Sequence, residues 1–146
     1  MNNLEKYEYW IQYANYDLET AEAMLKSKRY VYVAFTCQQA IEKAVKALHI
    51  LYTGNEAPKS HNILYVFELI FNNEEYCNNI SDEHFEEDKE KYKPLFTTLH
   101  SYYIAERYTD YKRQVSESLG EENSKDLLDK TKEAFKWLES LKQYWN

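Results

Sequence analysis

The sequence is short of the residues that break helices. It has only two glycines and two prolines in 146 residues. Without those breakers, a chain rich in Glu, Lys, Leu and Ala reads as nearly all helix, with few and short loops. With Gly54 and Gly120 as the only glycines, no Gly-rich phosphate loop, GxSxG elbow or paired-glycine dinucleotide turn can be built, so any nucleotide must be held by side chains. Cysteine is scarce too. Cys37 and Cys77 lie too far apart for a CxxC redox or zinc pair, and no charged-then-apolar leader opens the chain. A reduced, cytoplasmic protein without a cofactor is the expectation. No apolar run approaches the roughly 18 to 20 residues of a membrane span, which argues against a membrane role. The net charge of -7 excludes a protein that coats nucleic acid by bulk electrostatics, so any RNA or nucleotide contact must use a local patch.

What is present suits one helical unit. A length of 146 residues fits a single domain over 1–146, since domains commonly run to roughly 100 to 150 residues. The positive charges are clumped as "KSKR" at 26–29, Lys43 with Lys46, and "YKRQ" at 111–114. Each clump reads either as solvated mixed-charge surface or as a local anion-binding patch.

Apolar spacing places the helices. Tyr7, Trp10, Ile11, Ala14, Leu18, Ala21 and Leu25 recur at three- and four-residue steps and predict a helix over about 4–27. Tyr9, Tyr13 and Tyr16 form a flanking stripe, which suits either a partner surface or rings packed on the bundle with their hydroxyls in water. A second helix is predicted over about 31–53, burying Ala34, Phe35, Ile41, Ala44, Val45, Leu48 and Leu51 and stopping at Gly54. Its other face carries Gln39, Glu42, Lys43 and Lys46 at i, i+3, i+4 and i+7, with Glu42 and Lys46 in the favourable ion-pair order. Pro58 marks a loop, Ser60 is the expected N-cap of a short helix ending near Phe71, and His61 then falls in its first turn. The acidic, Asn-rich text over 72–92 reads as a loop with room for one short helix. Pro94 fits the first turn of a fourth helix, which carries Leu95, Leu99, Tyr102, Tyr103 and Glu106 and ends near "RYTDY". The last, over about 124–145, shows Leu127, Leu128, Thr131, Ala134, Phe135, Leu138, Leu141 and Trp145 in one stripe. About five helices joined antiparallel predict an all-α, up-and-down bundle.

Arg107 is the leading polar candidate, because a helix puts it on one face with Tyr103 and His100, and an arginine fork recognises phosphate bidentately. Asp110 offers the alternative of pairing with Arg107 and holding the turn closed. His49 lies beside core positions and His84 in the acidic segment; no histidine spacing matches a zinc pattern, and "DEHFEEDKE" does not match a calcium loop. No metal is expected.

Trp10, Ala14, Asp17, Leu18 and Ala21, then Tyr30 and Ala34, then "QQAIEKAVKAL" at 38–48, "KSHNI" at 59–63 and "YIAERYTDY" at 103–111 follow one another in an order that resembles the HEPN domain family, almost end to end. The resemblance implies a four-helix-bundle core, a homodimer, and a cleft or dimer seam flanked by the second helix and the one ending in Arg107. It further implies, for short chains of this kind, a minimal nucleotidyltransferase as partner, with this chain as substrate-binding or toxin–antitoxin-type component. Gln39, Lys43, Lys46, His61, Tyr103, Arg107 and Asp110 are the positions expected to meet a nucleotide or RNA ligand. Ribonuclease members of the family carry an arginine, then four to six residues, then a histidine. No histidine follows His100 in this chain, so a non-catalytic module is expected. The alternative is a metal-independent ribonuclease using Arg107 with His100, or with a histidine from another subunit.

Overall fold

Asn2 opens the first helix by accepting the Glu5 N–H on its side-chain oxygen at 2.8 Å. The computed structural model describes residues 1–145, and among these every regular element is helical. Helix α1 spans Asn3–Lys26 and buries Tyr7, Ile11, Ala14, Leu18 and Ala21. It closes in a Schellman turn: the Arg29 N–H donates to the Met24 carbonyl at 2.8 Å and the Lys28 N–H to Leu25 at 3.1 Å. Lys28 occupies the left-handed position of that turn, at φ 59°, where glycine is the usual residue.

Helix α2, Tyr30–Thr53, stops at Gly54, whose φ of 77° and N–H bond to Ile50 end the helix. Fifteen of its 24 residues are buried, so α2 meets neighbours on most of its circumference. Four fully buried alanines, Ala34, Ala40, Ala44 and Ala47, let those neighbours approach closely. Helix α3 (Ile63–Phe71) and the single turn α4 (Glu74–Cys77) follow. Helices α5 (Phe85–Arg107), α6 (Thr109–Ser118) and α7 (Glu121–Ser140) and a 3₁₀ turn over Leu141–Tyr144 complete the described chain.

Cross-links fix the directions. Asp17 pairs with Lys43, so α1 and α2 run antiparallel. Glu22 meets Lys132 and Glu8 meets Lys142, which sets α7 antiparallel to α1. Lys91 meets Glu133, and Tyr92 stacks on Trp137, at the start of α5 and the end of α7. At the other end, Tyr102 lines a cleft with Asn123 and Leu127, so α5 too is antiparallel to α7. Helices α1, α2, α5 and α7 thus form the alternating four-helix core, as the apolar spacing and the resemblance predict. One continuous core joins them. Its aromatic part holds Phe67, Phe71, Phe85, Tyr92 and Phe96, with Trp137 against it.

Three sequence-based expectations are corrected. Helix α5 begins at Phe85, not near Pro94, and runs through the segment read as loop. Glu86, Glu87 and Asp88 sit in its first turn, where acidic side chains complement the helix dipole, and Phe85, Lys89, Tyr92, Phe96 and Leu99 share its buried face. Pro94 is exposed inside the helix, and the Glu90 carbonyl it deprives of a donor also belongs to an exposed residue. Helix α3 is capped by Asn62, which accepts the Tyr65 N–H at 3.2 Å, while Ser60 accepts the Asn62 N–H in the preceding loop. His61 therefore lies before α3, not in its first turn. Helix α6 adds an element the apolar spacing does not predict, because it buries none of its residues.

Candidate functional site

Glu42 is the centre of the polar arrangement. Gln38, Glu42 and Lys46 follow at four-residue steps along α2, so their side chains stack on one face. The Gln38 amide donates to Glu42 Oε1 at 2.8 Å, and the Lys46 ammonium donates to Oε2 at 3.2 Å. The loop before α3 brings a third donor: His61 Nδ1 lies 3.0 and 3.2 Å from the two carboxylate oxygens. Only 8% of the Glu42 side chain is exposed. A buried carboxylate is costly unless its lone pairs are satisfied, and three donors from two segments satisfy this one. Gln39 joins by donating to Gln38 at 2.6 Å.

The carboxylate accepts only, so His61 Nδ1 carries the proton and Nε2 is left free. The imidazole, 44% exposed, stacks on Tyr103 of α5 with ring centroids 4.3 Å apart and planes 20° apart. Arg107, one turn further along α5, lies over the same phenol ring at 5.2 Å. His100 is the third neighbour of Tyr103, at 6.3 Å. Glu42, His61, Tyr103 and Arg107 form a continuous series from a buried anion to an exposed cation. Arg107 makes no ion pair among the described residues, so its guanidinium is available to an anionic ligand. Its position in the last turn of α5 stabilises the cation, since helix C-termini carry partial negative charge.

The expected ligand residues divide. Lys46, His61, Tyr103 and Arg107 come together, with His100 on the same face as the spacing predicts. Lys43 turns away to Asp17 on α1 and Gln39 serves the Gln38 amide. Asp110 lies in the first turn of α6, exposed, and forms no pair with Arg107. The turn between α5 and α6 is therefore not held by an Arg107–Asp110 bridge. Gln38 as a Glu42 donor and Asp17 as the Lys43 partner were missed; the i, i+4 step from Gln38 to Glu42 was the available signal for the first, and no local signal marks the second.

Other reactive groups lie elsewhere. His49 Nδ1 meets the Asn55 carbonyl at 3.0 Å, tying down the loop after α2. His84 is exposed beside Glu83 and Glu87. Burial pushes the Cys37 thiol up to about 12, and desolvation raises Cys77 as well, so neither offers a thiolate at neutral pH. Among the described residues no cluster of three or more His, Cys, Asp or Glu side chains could hold a metal ion, and no helix is long and apolar enough to cross a membrane.

No curated protein and no solved structure matches the sequence. Residues 7–141 match the family model of the HEPN domain, a stretch that takes in α2, α5 and α7, all but the first turn of α1, and every residue of the Glu42–Arg107 series. The chain belongs to the HEPN domain family.

Proposed function

We propose that the protein is a non-catalytic, homodimeric HEPN module, acting as a single unit, that binds a nucleotide through Arg107. Family membership points to a nucleotide- or RNA-related role. The observation that carries the reading is Arg107, exposed and without a carboxylate, braced on Tyr103, whose ring also stacks with an imidazole fixed by a buried glutamate. A guanidinium so placed offers two parallel N–H groups to a phosphate. Lys46 adds positive potential but is engaged by Glu42.

The dimeric part rests on α1, where Tyr9, Tyr13 and Tyr16 are about half exposed or more and Tyr9 packs edge-on against Tyr13 at 5.0 Å. Such a stripe suits a second copy or a minimal nucleotidyltransferase in a toxin–antitoxin-type pair in the cytoplasm. Mass in solution and calorimetry with nucleoside mono- and triphosphates test the reading together. Wild type is expected to be a dimer that binds, and Arg107→Ala to bind at least about tenfold more weakly, as for loss of a charged hydrogen-bond donor. A monomer indifferent to every nucleotide would defeat it.

A ribonuclease reading is favoured by one observation, the Glu42–His61 pair, in which a carboxylate orients an imidazole as it does for a general base. His100 has no such orienting partner among the described residues, so His61 is the better base to pair with Arg107. Incubating wild type, His61→Ala, His100→Ala and Arg107→Ala with RNA separates the readings. Cleavage lost in His61→Ala and Arg107→Ala but kept in His100→Ala supports the enzyme; intact RNA throughout supports the binding module.

A further inference from the structure

Two of the basic clumps, separated by most of the chain, meet at one end of the bundle. The turn between α1 and α2 carries Lys28 and Arg29, and α6 carries Lys112 and Arg113. Val31, Tyr32, Thr109, Lys112, Arg113 and Ser116 line a cleft of about 410 Å³. Lys28 and Arg29 line a second of about 220 Å³, and the two share Val31, Tyr32 and Ser116, so they are one trough. Among the described residues none of the four cations is within ion-pair distance of a carboxylate, although the chain as a whole carries a net charge of -7. Tyr32, 48% exposed, lines both clefts, with the Lys112 ammonium 5.9 Å from the centre of its ring.

We propose that this trough is a binding site for single-stranded nucleic acid, separate from the Arg107 site. Phosphodiester oxygens would be met by Lys28, Arg29, Lys112 and Arg113, and an unpaired base would stack on Tyr32. A duplex keeps its bases inside its own stack and cannot offer a face to Tyr32; single strands are held by this combination of a cationic track and an aromatic platform. The acidic cleft beyond Leu119, with Glu117, Glu121, Glu122, Asp126 and Asp129, borders the trough and repels a strand from that side, which limits the track to the cationic side. The backbone at Lys28 supports the assignment. A lysine holds the left-handed position of the α1 turn, where glycine or asparagine is less strained, and the residue kept there is one that contributes charge to the trough. The four cations and Tyr32 act on phosphodiester groups and bases, which RNA and DNA share, so both kinds of strand should bind.

The test uses the full chain and a fluorescein-labelled 12-mer of oligouridylate, followed by anisotropy over a range of KCl concentrations. The same-length oligothymidylate, a duplex RNA and vesicles containing anionic phosphatidylglycerol are the comparison arms. Binding of both single strands is expected with Kd on the order of 10⁻⁵ M at low salt, weakening as salt rises by a logarithmic slope of about 0.7 per phosphate contact. Lys112→Gln with Arg113→Gln, and separately Lys28→Asn with Arg29→Gln, are each expected to weaken binding about tenfold and to lower that slope. Asparagine suits the left-handed backbone, so the second pair tests charge without unfolding the turn. Tyr32→Leu should weaken binding without changing the slope. Both double variants should leave binding of a nucleoside monophosphate within about twofold of wild type, which separates this site from the nucleotide site. The proposal is overturned if both double variants bind as wild type does, if Arg107→Ala alone abolishes binding, or if duplex or vesicles bind more tightly than the single strands.

Discussion

Lys43 and Lys46 on α2 and Lys112 and Arg113 on α6 are all clumped cations in the sequence, yet the fold treats them in opposite ways. The first pair is drawn inward: Lys43 onto Asp17, Lys46 onto Glu42, with side chains 26% and 13% exposed. The second pair meets no carboxylate and lines a trough, Lys112 against the rings of Tyr32 and Phe35 and Arg113 exposed, on a helix with no buried residue. The difference teaches that local charge density says little about availability. A cation next to a buried carboxylate is structure, because its charge is already neutralised where water cannot do it. A cation without an acid keeps its field for a ligand.

The strongest way to break this contrast is Glu42→Ala. It leaves the Gln38 amide, the Lys46 ammonium and the His61 N–H without their shared acceptor, and should cost about 3 kcal/mol in urea unfolding at pH 7. A loss near zero would mean that the α2 network is ordinary solvated surface. On the opposite side, Lys28→Gly relieves the left-handed strain at φ 59° and should raise stability by about 1 kcal/mol while weakening oligonucleotide binding. Stability and binding moving in opposite directions would mark the turn as shaped for its ligand.

Glu139 sharpens the comparison from within the acids. It is half-buried near Glu8, and its carboxylate, unlike that of Glu42, accepts no hydrogen bond among the described residues; burial, then repulsion from Glu8, raises its carboxyl above the ordinary 4.5. A carboxyl that is harder to ionise in the folded state lowers stability once pH exceeds the unfolded value. Glu139→Gln should therefore give a small rise in Tm at pH 7 that disappears below about pH 4.5, where wild type is itself protonated. The smallest effect is expected for Arg113→Gln, whose stability should stay within about 0.5 kcal/mol of wild type, since it removes no pair and uncovers no core.

The legible part of the molecule is the part that obeys a short period. The stripe of Tyr7, Ile11, Ala14, Leu18 and Ala21 and that of Leu127, Leu128, Thr131, Ala134, Phe135 and Leu138 reappear as buried faces. The Glu42–Lys46 order reappears as a bond, and His100, Tyr103 and Arg107 share a face as their spacing requires. The start of α5 was hidden because acidic residues that suit a helix N-terminus resemble a solvated loop when read singly, and because Pro94 is tolerated on an exposed helix surface. Helix α6 was hidden because it has no buried face to produce a pattern.

By itself the sequence determined the helical class, the four long core helices and the absence of a backbone phosphate loop, because scarce glycine and regular apolar spacing act over a few residues. Only the tertiary structure decided which polar groups work together. His61 reaches Glu42 across 19 positions, Lys43 reaches Asp17 across 26, and Lys28 joins Arg113 from the far side of the chain. Such meetings depend on how helices pack, and electrostatic and hydrogen-bonding energies fall off over a few ångströms of space, whatever the separation along the chain.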